Sequence, residues 1–508
     1  MKYLIGIDVG TSGTKVILID VNGKLIAKDL QEYALYTPRP GWAEQQPSDW
    51  WKAAVKGIKN VIKDVNVSDV AAIGLSGQMH GLVALDKNNR VLRPSILWCD
   101  QRTVEQCEYI TKTIGAERLK KLVYNPALTG FTAGKILWMR DNEPVLYRKI
   151  AKVLLPKDYI RFKLTGKFAT EVSDASGMLL LDVKNRRWSK TVLKELNIPE
   201  SMLAVCFESE EISGHVTSEA AKVTGLKAGT PVGGGGGDQA ASAIGCGVVE
   251  NGIISVTIGT SGVVFAFSDI VKLDKKGRIH TFCHAVKNKW HTMGVMLSAG
   301  GALKWFKDTL CKEEVALAVK KKVDPYDIIL QGLEKIPPGS ENLIFLPYLS
   351  GERSPYADPY ARGVFMGLGQ NHTKKHMTRA VLEGVAFGLR DTVEVMRSLK
   401  IPVKEIRVTG GGARSKLWLQ ILADILGQEV VTVNMTEGGA FGVALLAGVG
   451  AGVYEDISKV CKKLIKTKKG AKPNKVNAGI YNKYYKVYRK TYFNLKDEFK
   501  ELADLPHK

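Results

Sequence analysis

Apolar and polar positions alternate over residues 2–9, which reads as a strand, and Gly10-Thr11-Ser12-Gly13 turns the chain so that residues 14–20 run back beside it. Asn22-Gly23 is a strong hairpin signal, and residues 24–32 alternate again as a third strand. The spacing changes to the helical period over residues 49–63, with Ser48 or Asp49 as the cap. Residues 70–75 make an apolar run that ends in Ser76-Gly77-Gln78-Met79-His80-Gly81, and residues 95–98 make another that ends in Cys99-Asp100-Gln101-Arg102.

The opening pattern recurs near the middle of the chain. Residues 253–258 read as a strand, Gly259-Thr260-Ser261-Gly262 as its turn and residues 263–267 as the return. Two openings of one design predict two similarly built α/β domains. They differ in one place: Asp8 precedes the first turn and Thr257 stands there in the second. Helical spacing follows at 299–309 and 373–399, and a strand at 405–408 leads through Thr409-Gly-Gly-Gly-Ala-Arg-Ser415 into another helix. Tyr481, Tyr485, Tyr488 and Tyr492 recur at helical spacing, a stripe that reads as packing. No strand pattern follows residue 460.

Between the two openings, five glycines run from Val232 into Asp238, and small residues follow: Ala240, Ala241, Ser242, Ala243, Gly245 and Gly247. A glycine run is costly to order, so a folded chain keeps one where backbone comes close to something. A carboxylate at a strand-glycine-helix junction stands where open α/β sheets place ligands. The other reading is a flexible linker with Asp238 as a helix N-cap.

Composition narrows the classes. Of 508 residues 45% are hydrophobic and 24% charged, as in a soluble globular protein of two or three domains. No apolar run approaches the ~20 residues that span a bilayer, and the N-terminus lacks the apolar core of a signal peptide, so a cytoplasmic protein without a membrane partner is expected. Seven cysteines without a Cys-x-x-Cys pair argue against both a disulfide framework and a zinc ribbon. The net charge of +22 suits an anionic partner, but it is lysine-heavy and spread out. Its densest part, residues 461–470, carries no interleaved aromatics for stacking bases, so nucleic acid is not expected.

Turns of Gly, Thr and Ser expose N–H groups and hydroxyls that suit phosphate oxygens. Asp8 beside such a turn can hold magnesium through water. The 409–415 turn can bed an adenosine against bare backbone, and the absence of Gly-x-x-x-x-Gly-Lys-[Ser/Thr] excludes a P-loop. Gln78, His80, Asp100 and Arg102 lie just past two strand ends, where a polar pocket belongs. His280/His284 and His372/His376 have metal-capable spacing only if helical; the first pair lies in a strand-like run and the second precedes a helix.

Taken together these stretches resemble the FGGY family of carbohydrate kinases. The resemblance rests on Gly6-Ile-Asp8-Val-Gly-Thr-Ser-Gly13, Gly77-Gln-Met-His-Gly81, Ile96-Leu-Trp98, Gly130-Phe-Thr-Ala-Gly-Lys135-Ile-Leu-Trp138, Leu155-Pro-Lys-Asp-Tyr159 and Thr170-Glu-Val-Ser-Asp174-Ala-Ser-Gly177. It continues through Leu346-Pro-Tyr-Leu-Ser-Gly-Glu-Arg353 and Arg362-Gly-Val-Phe-Met-Gly367, in the family's order, to about residue 450. It implies two actin/hexokinase-like (ribonuclease-H-like) α/β domains flanking a catalytic cleft: a sugar-binding domain over 1–247, a nucleotide-binding domain over 248–455 and a lysine-rich helical extension over 456–508. It implies transfer of the ATP γ-phosphoryl group, with Mg2+, to the 5-hydroxyl of D-xylulose, a small-molecule sugar substrate. By the same likeness Asp238 is the general base, and Asp8 serves the metal–phosphate end, both being candidate magnesium ligands. Gln78, Met79, His80, Asp100, Arg102 and Gln239 surround the sugar. Thr11, Ser12, Gly259, Thr260 and Gly300 meet the phosphates, and Gly411 and Gly412 the adenosine. Gln239 follows the base where xylulose-specific members commonly have Asn and glycerol kinases Gln, and Cys99 precedes Asp100 where Asn is common. Kinases of another ketose, of glycerol or of gluconate share the pattern, and an actin- or chaperone-like ATPase is the reading from another class. A homodimer is compatible with this reading.

Overall fold

The computed structural model describes residues 2–505; Met1 and residues 506–508, the outer ends of the first and last expected segments, lie outside the described residues. The chain divides into two compact units. The first runs to Glu250 and takes in two later stretches, Phe267–His291 and Glu437–Lys466; the second comprises Asn251–Ala266, Thr292–Thr436 and the residues from Thr467 onward.

In the first unit the strand Tyr3–Val9 lies antiparallel to Gly13–Asp20 and parallel to Val70–Gly77. Leu25–Glu32 extends the sheet on one side, Pro231–Gly233 and Ile212–His215 on the other. Ile5, Ile7, Val16, Leu18, Ile73 and Leu75 are buried in one core with Trp50, Ala54 and Ile58 of the helix Pro47–Ile62. That helix begins ahead of the expected cap, with Pro47 in its first turn and no capping side chain. Proline's fixed φ suits a first turn, where its missing N–H costs nothing. The expected strand at 95–98 shortens to Ser95–Ile96, paired with Glu44–Gln45.

The helix Gly438–Gly450 also belongs to this unit, packed on Tyr3–Val9, Val70–Gly77 and the helix Asp238–Gly245. Glycines permit that contact. A Cβ added at Gly6 would lie 1.8 Å from the Ala440 carbonyl oxygen, one at Gly74 1.9 Å from that of Val443, and one at Gly442 2.0 Å from that of Ala241.

The second unit repeats the central motif. Gly252–Ile258 is antiparallel to Gly262–Ser268 and parallel to Val403–Gly410, with Val430–Val433 beyond. The register repeats as well: Asp8 faces Ser76 in the first sheet, and Thr257 faces Thr409 in the second. The helices at Gly300–Leu310, Lys374–Ser398 and Lys416–Leu426 stand where the spacing put them.

After residue 460 the structure corrects the helical expectation. Between the helices Ile457–Leu464 and Lys475–Asp504, the strand Thr467–Ala471 pairs antiparallel with Val430–Val433. Thr-Lys-Lys-Gly-Ala carries no apolar alternation, because an edge strand is held by main-chain bonds and lysines suit an edge. The tyrosine stripe of Lys475–Asp504 is packing, with the hydroxyl of Tyr488 bonded to that of Tyr348 at 2.7 Å and the other three to carboxylates. Tyr481 donates to Glu383 Oε1 at 2.7 Å, Tyr485 to Asp391 Oδ1 at 2.6 Å and Tyr492 to Asp358 Oδ2 at 2.8 Å. None of the seven cysteines forms a disulfide, and among the described residues no helix is long and apolar enough to cross a membrane.

Candidate functional site

The glycine run is buried and ordered by pairing, so it is no linker. Pro231–Gly233 and Gly236–Gly237 both pair with Val70–Gly77. Gly235 bridges them at φ +77, and a Cβ there would lie 1.9 Å from the Leu75 carbonyl oxygen, so glycine alone fits. Asp238 is the first residue of the helix Asp238–Gly245, after Gly237 at the N-cap, and so does not itself cap it.

Asp238 stands close enough to Asp8 to feel its charge. Asp8 Oδ1 accepts a hydrogen bond from Ser76 Oγ at 2.8 Å, its neighbour across the sheet. Burial raises the Asp8 carboxyl, opposed by Ser76 and by the positive Lys15. Burial, and then the charge of Asp8, push Asp238 up to about 7, while the N–H and side-chain amide of Gln239 pull it down. A carboxyl with that proton affinity can take a proton from a hydroxyl near neutral pH. Two acidic groups held together against burial also suit a hard divalent cation with oxygen ligands.

Gln78, Met79 and His80 follow the strand Val70–Gly77 as one buried turn. Gln78 Oε1 accepts from Thr11 Oγ1 at 3.1 Å and its Nε2 donates to Gln45 Oε1 at 2.9 Å. Thr11 Oγ1 in turn accepts from Trp98 Nε1 at 3.0 Å. Thr11 and Gln78 thus hold the first turn to its neighbours, while Ser12 is exposed at its tip. Met79 lies against Gly237, whose added Cβ would come 2.9 Å from Met79 Cγ. His80 is left-handed at φ 69, uncommon for a residue with a side chain. Its carbonyl is gripped by Lys135 Nζ at 2.8 Å and Thr132 Oγ1 at 3.1 Å, and its Nδ1 lies 2.7 Å from the Gly177 oxygen.

Asp100 and Arg102 are bound to each other. Asp100 Oδ1 accepts from Arg102 Nε at 2.9 Å, and its Oδ2 from Arg102 Nη2 at 2.7 Å and the Ala43 N–H at 2.6 Å. Arg102 also pairs with Glu44 at 2.7 Å and stacks on Trp42 at 3.6 Å. Both residues expected to meet the sugar are thus bonded within their own loop, and Arg102 Nη1 is left buried without a hydrogen-bond partner. Gln239 stands beside Asp238 and bonds to it.

The second unit holds a pocket of about 680 Å³, within the usual range for small ligands, that gathers all five glycine- and threonine-type positions expected there: Gly259, Thr260, Gly300, Gly411 and Gly412. Backbone lines one side of it, since Gly300 N–H donates to the Gly259 carbonyl at 2.8 Å and Gly301 N–H to that of Thr260 at 3.0 Å. Leu303, Tyr326 and Leu330 supply apolar surface, and Gln331, Lys304 and Arg414 polar ends.

Sequence reasoning passed over Ser76, Gln45, Lys135, Tyr326 and Gln331. Ser76 had a signal, since it opens the quoted Ser76-Gly77-Gln78 stretch; Gln45, Tyr326 and Gln331 lie in segments whose pattern marks no site. The histidine pairs do not share a helix: His280 lies on the strand His280–Cys283 with His284 past its end, and His372 precedes the helix Lys374–Ser398, in which His376 closes a capping box with Thr373. Among the described residues no group of three or more His, Cys, Asp or Glu has metal-holding geometry.

A family model described as the N-terminal domain of the FGGY family of carbohydrate kinases matches residues 3–245, and the model of that family's C-terminal domain matches residues 254–451. A xylulose kinase of Bacillus subtilis is 38% identical over 499 residues, covering 98% of each chain. The crystal structure of a xyloylose kinase from Brucella ovis superposes with a TM-score of 0.88 at 36% identity, over 97% of this chain and 99% of that one. The crystal structure of a gluconate kinase from Lactobacillus acidophilus gives a TM-score of 0.91 at 29% identity, over 99% of both.

Proposed function

The chain belongs to the FGGY family of carbohydrate kinases and is an ATP-dependent sugar kinase; from that premise we propose that its sugar is D-xylulose and that Asp238 takes the proton from the 5-hydroxyl as the phosphoryl group arrives. The observation that carries the choice of base is the place of Asp238 at the head of its helix, directly after the buried glycine run, with burial and the charge of Asp8 raising its carboxyl to about 7. Phosphoryl transfer asks little covalent chemistry of a protein beyond positioning, charge stabilisation and a proton acceptor. Met79 and His80 contact the sugar in this reading, and Gln239 sets the pocket width beside the base. Asp100 and Arg102 act through the loop they lock. The pocket of the second unit takes the adenosine against Gly411 and Gly412. Magnesium would be held by Asp8 and Asp238 with water, and when bound it neutralises phosphate charge.

Substrate preference is tested by ADP release from magnesium-ATP across a panel of polyols, aldoses, ketoses and sugar acids. D-Xylulose is expected to give the highest kcat/KM. Near full-length likeness to xylulose kinase supports this, and so does charge: gluconate would bring a carboxylate toward Asp8 and Asp238, two like charges that repel it. Glycerol leaves polar groups of a closed pocket unpaired, which penalises it heavily. Better turnover of glycerol or gluconate would remove the xylulose reading and leave the kinase.

Asp8→Ala is expected to raise the magnesium concentration for half-maximal rate while leaving the KM for sugar within about twofold. An unchanged magnesium response would make Asp8 structural.

A further inference from the structure

Two motifs of the first unit, Leu155-Pro-Lys-Asp-Tyr159 and Thr170-Glu-Val-Ser-Asp174, touch neither Asp8 nor Asp238 in the account so far. The structure folds them into one buried charge cluster. Lys157, Asp158, Arg161, Glu171 and Asp174 are all fully buried. Lys157 Nζ lies 2.7 Å from Asp158, 3.2 Å from Asp174 and 3.5 Å from Glu171.

Burying five ionisable groups is a poor way to gain stability, since well-packed apolar side chains of the same volume do as well or better. What apolar side chains cannot do is hold backbone. Arg161 donates from Nη1 to the Gly233 carbonyl and from Nη2 to the Gly234 carbonyl, each at 2.5 Å. Glu171 accepts from Ser173 Oγ at 2.9 Å and from Ser209 Oγ at 2.7 Å. Those two serines reach the same run, with Ser173 Oγ accepting the Gly237 N–H at 3.1 Å and the Ser209 carbonyl the Gly235 N–H at 2.8 Å. Arg161 and the two serines bonded to Glu171 thus fix four of the five glycines, the last being the residue before Asp238.

We propose that Arg161, Glu171 and Ser173 are positioning residues for the reaction: they clamp the main chain of residues 233–237 and thereby set where the Asp238 carboxylate stands. A run of glycines has no side chains with which to hold itself, and ordering it is entropically costly. A displacement of about 1 Å at a reacting group costs on the order of 100-fold in rate. The clamp supplies, from beneath, the rigidity that the run gives up to let neighbouring backbone approach. The inference rests on the reading of Asp238 as the base.

The test compares wild type, Asp238→Asn, Ser173→Ala and Arg161→Lys. Ser173→Ala deletes one oxygen and one acceptor for the Gly237 N–H. It is expected to lower kcat at least ~10-fold, with KM for ATP within twofold and a melting temperature near that of wild type. Backbone amides of 233–238 should exchange faster with deuterium, without a general rise elsewhere. Arg161→Lys keeps the charge but loses the fork that spans two carbonyls, and should behave likewise; it decides the matter if the serine variant is poorly folded. Wild-type kcat and exchange in both variants, or losses of kcat that follow melting temperature alone, overturn the clamp. A wild type inactive on every sugar, or an active Asp238→Asn, overturns the assignment of the base and the clamp with it, and so is distinguished from failure of the clamp by itself.

Discussion

Replacing Asp238 by Asn is expected to lower kcat by at least ~100-fold while leaving KM for ATP and for the sugar close to wild type. The amide occupies the same space at the head of the same helix but cannot take up the hydroxyl proton. The wild-type pH profile should report the same group. Its carboxyl is raised by burial and then by Asp8 to about 7, and only the ionised form accepts a proton. Activity should therefore be low on the acid side and rise as pH passes through about 7 in kcat/KM, the quantity that reads the free enzyme. Asp8→Asn removes the neighbouring negative charge, so the acid limb should move to lower pH. Gln239 opposes the rise, so Gln239→Ala should move it higher. An acid limb in the ordinary carboxylate range, or an Asp238→Asn variant with kcat near wild type, would exclude Asp238 as the base.

Gly74→Ala is expected to destabilise the fold by at least about 3 kcal/mol, with soluble yield and melting temperature as the measurements. The new methyl would lie 1.9 Å from the Val443 carbonyl oxygen and 2.3 Å from its carbon, atoms of a helix backbone that cannot swing aside. Gly479→Ala is the control. Gly479 lies within Lys475–Asp504 with nothing within 4 Å of an added Cβ, so alanine should stabilise by up to about 1 kcal/mol. If Gly74→Ala melts with wild type, the close approach of helix and sheet is wrong.

The repeated Gly-Thr-Ser-Gly turn made the fold legible. Each turn joins two strands of local pairing, so sequence periodicity carries it, and the sheets indeed repeat down to the register in which Asp8 faces Ser76 and Thr257 faces Thr409. The glycine run was legible as a place of close approach, though pattern alone left a linker open; burial and pairing of Gly236–Gly237 close that option. Asp100 and Arg102 were read as following a strand end; that strand stops early, at Ile96, and no periodicity reveals that the two bind each other. Lys157 and Glu171 are separated in sequence and meet only in the interior. The strand Thr467–Ala471 was hidden because main-chain pairing needs no apolar code.

The helix Gly438–Gly450 lies against Gly6 and Gly74, yet the chain makes those glycines hundreds of residues before it. During synthesis the first sheet emerges with that face bare and has no local segment to cover it. Closure of the first unit must wait until most of the second unit has been translated. Folding of this chain is therefore not a march from one end to the other: the half that carries Asp8 and Asp238 is the first to be made and among the last to be finished. The nascent chain spends that interval with an uncovered sheet face, the stage at which a holding chaperone would find the most to bind.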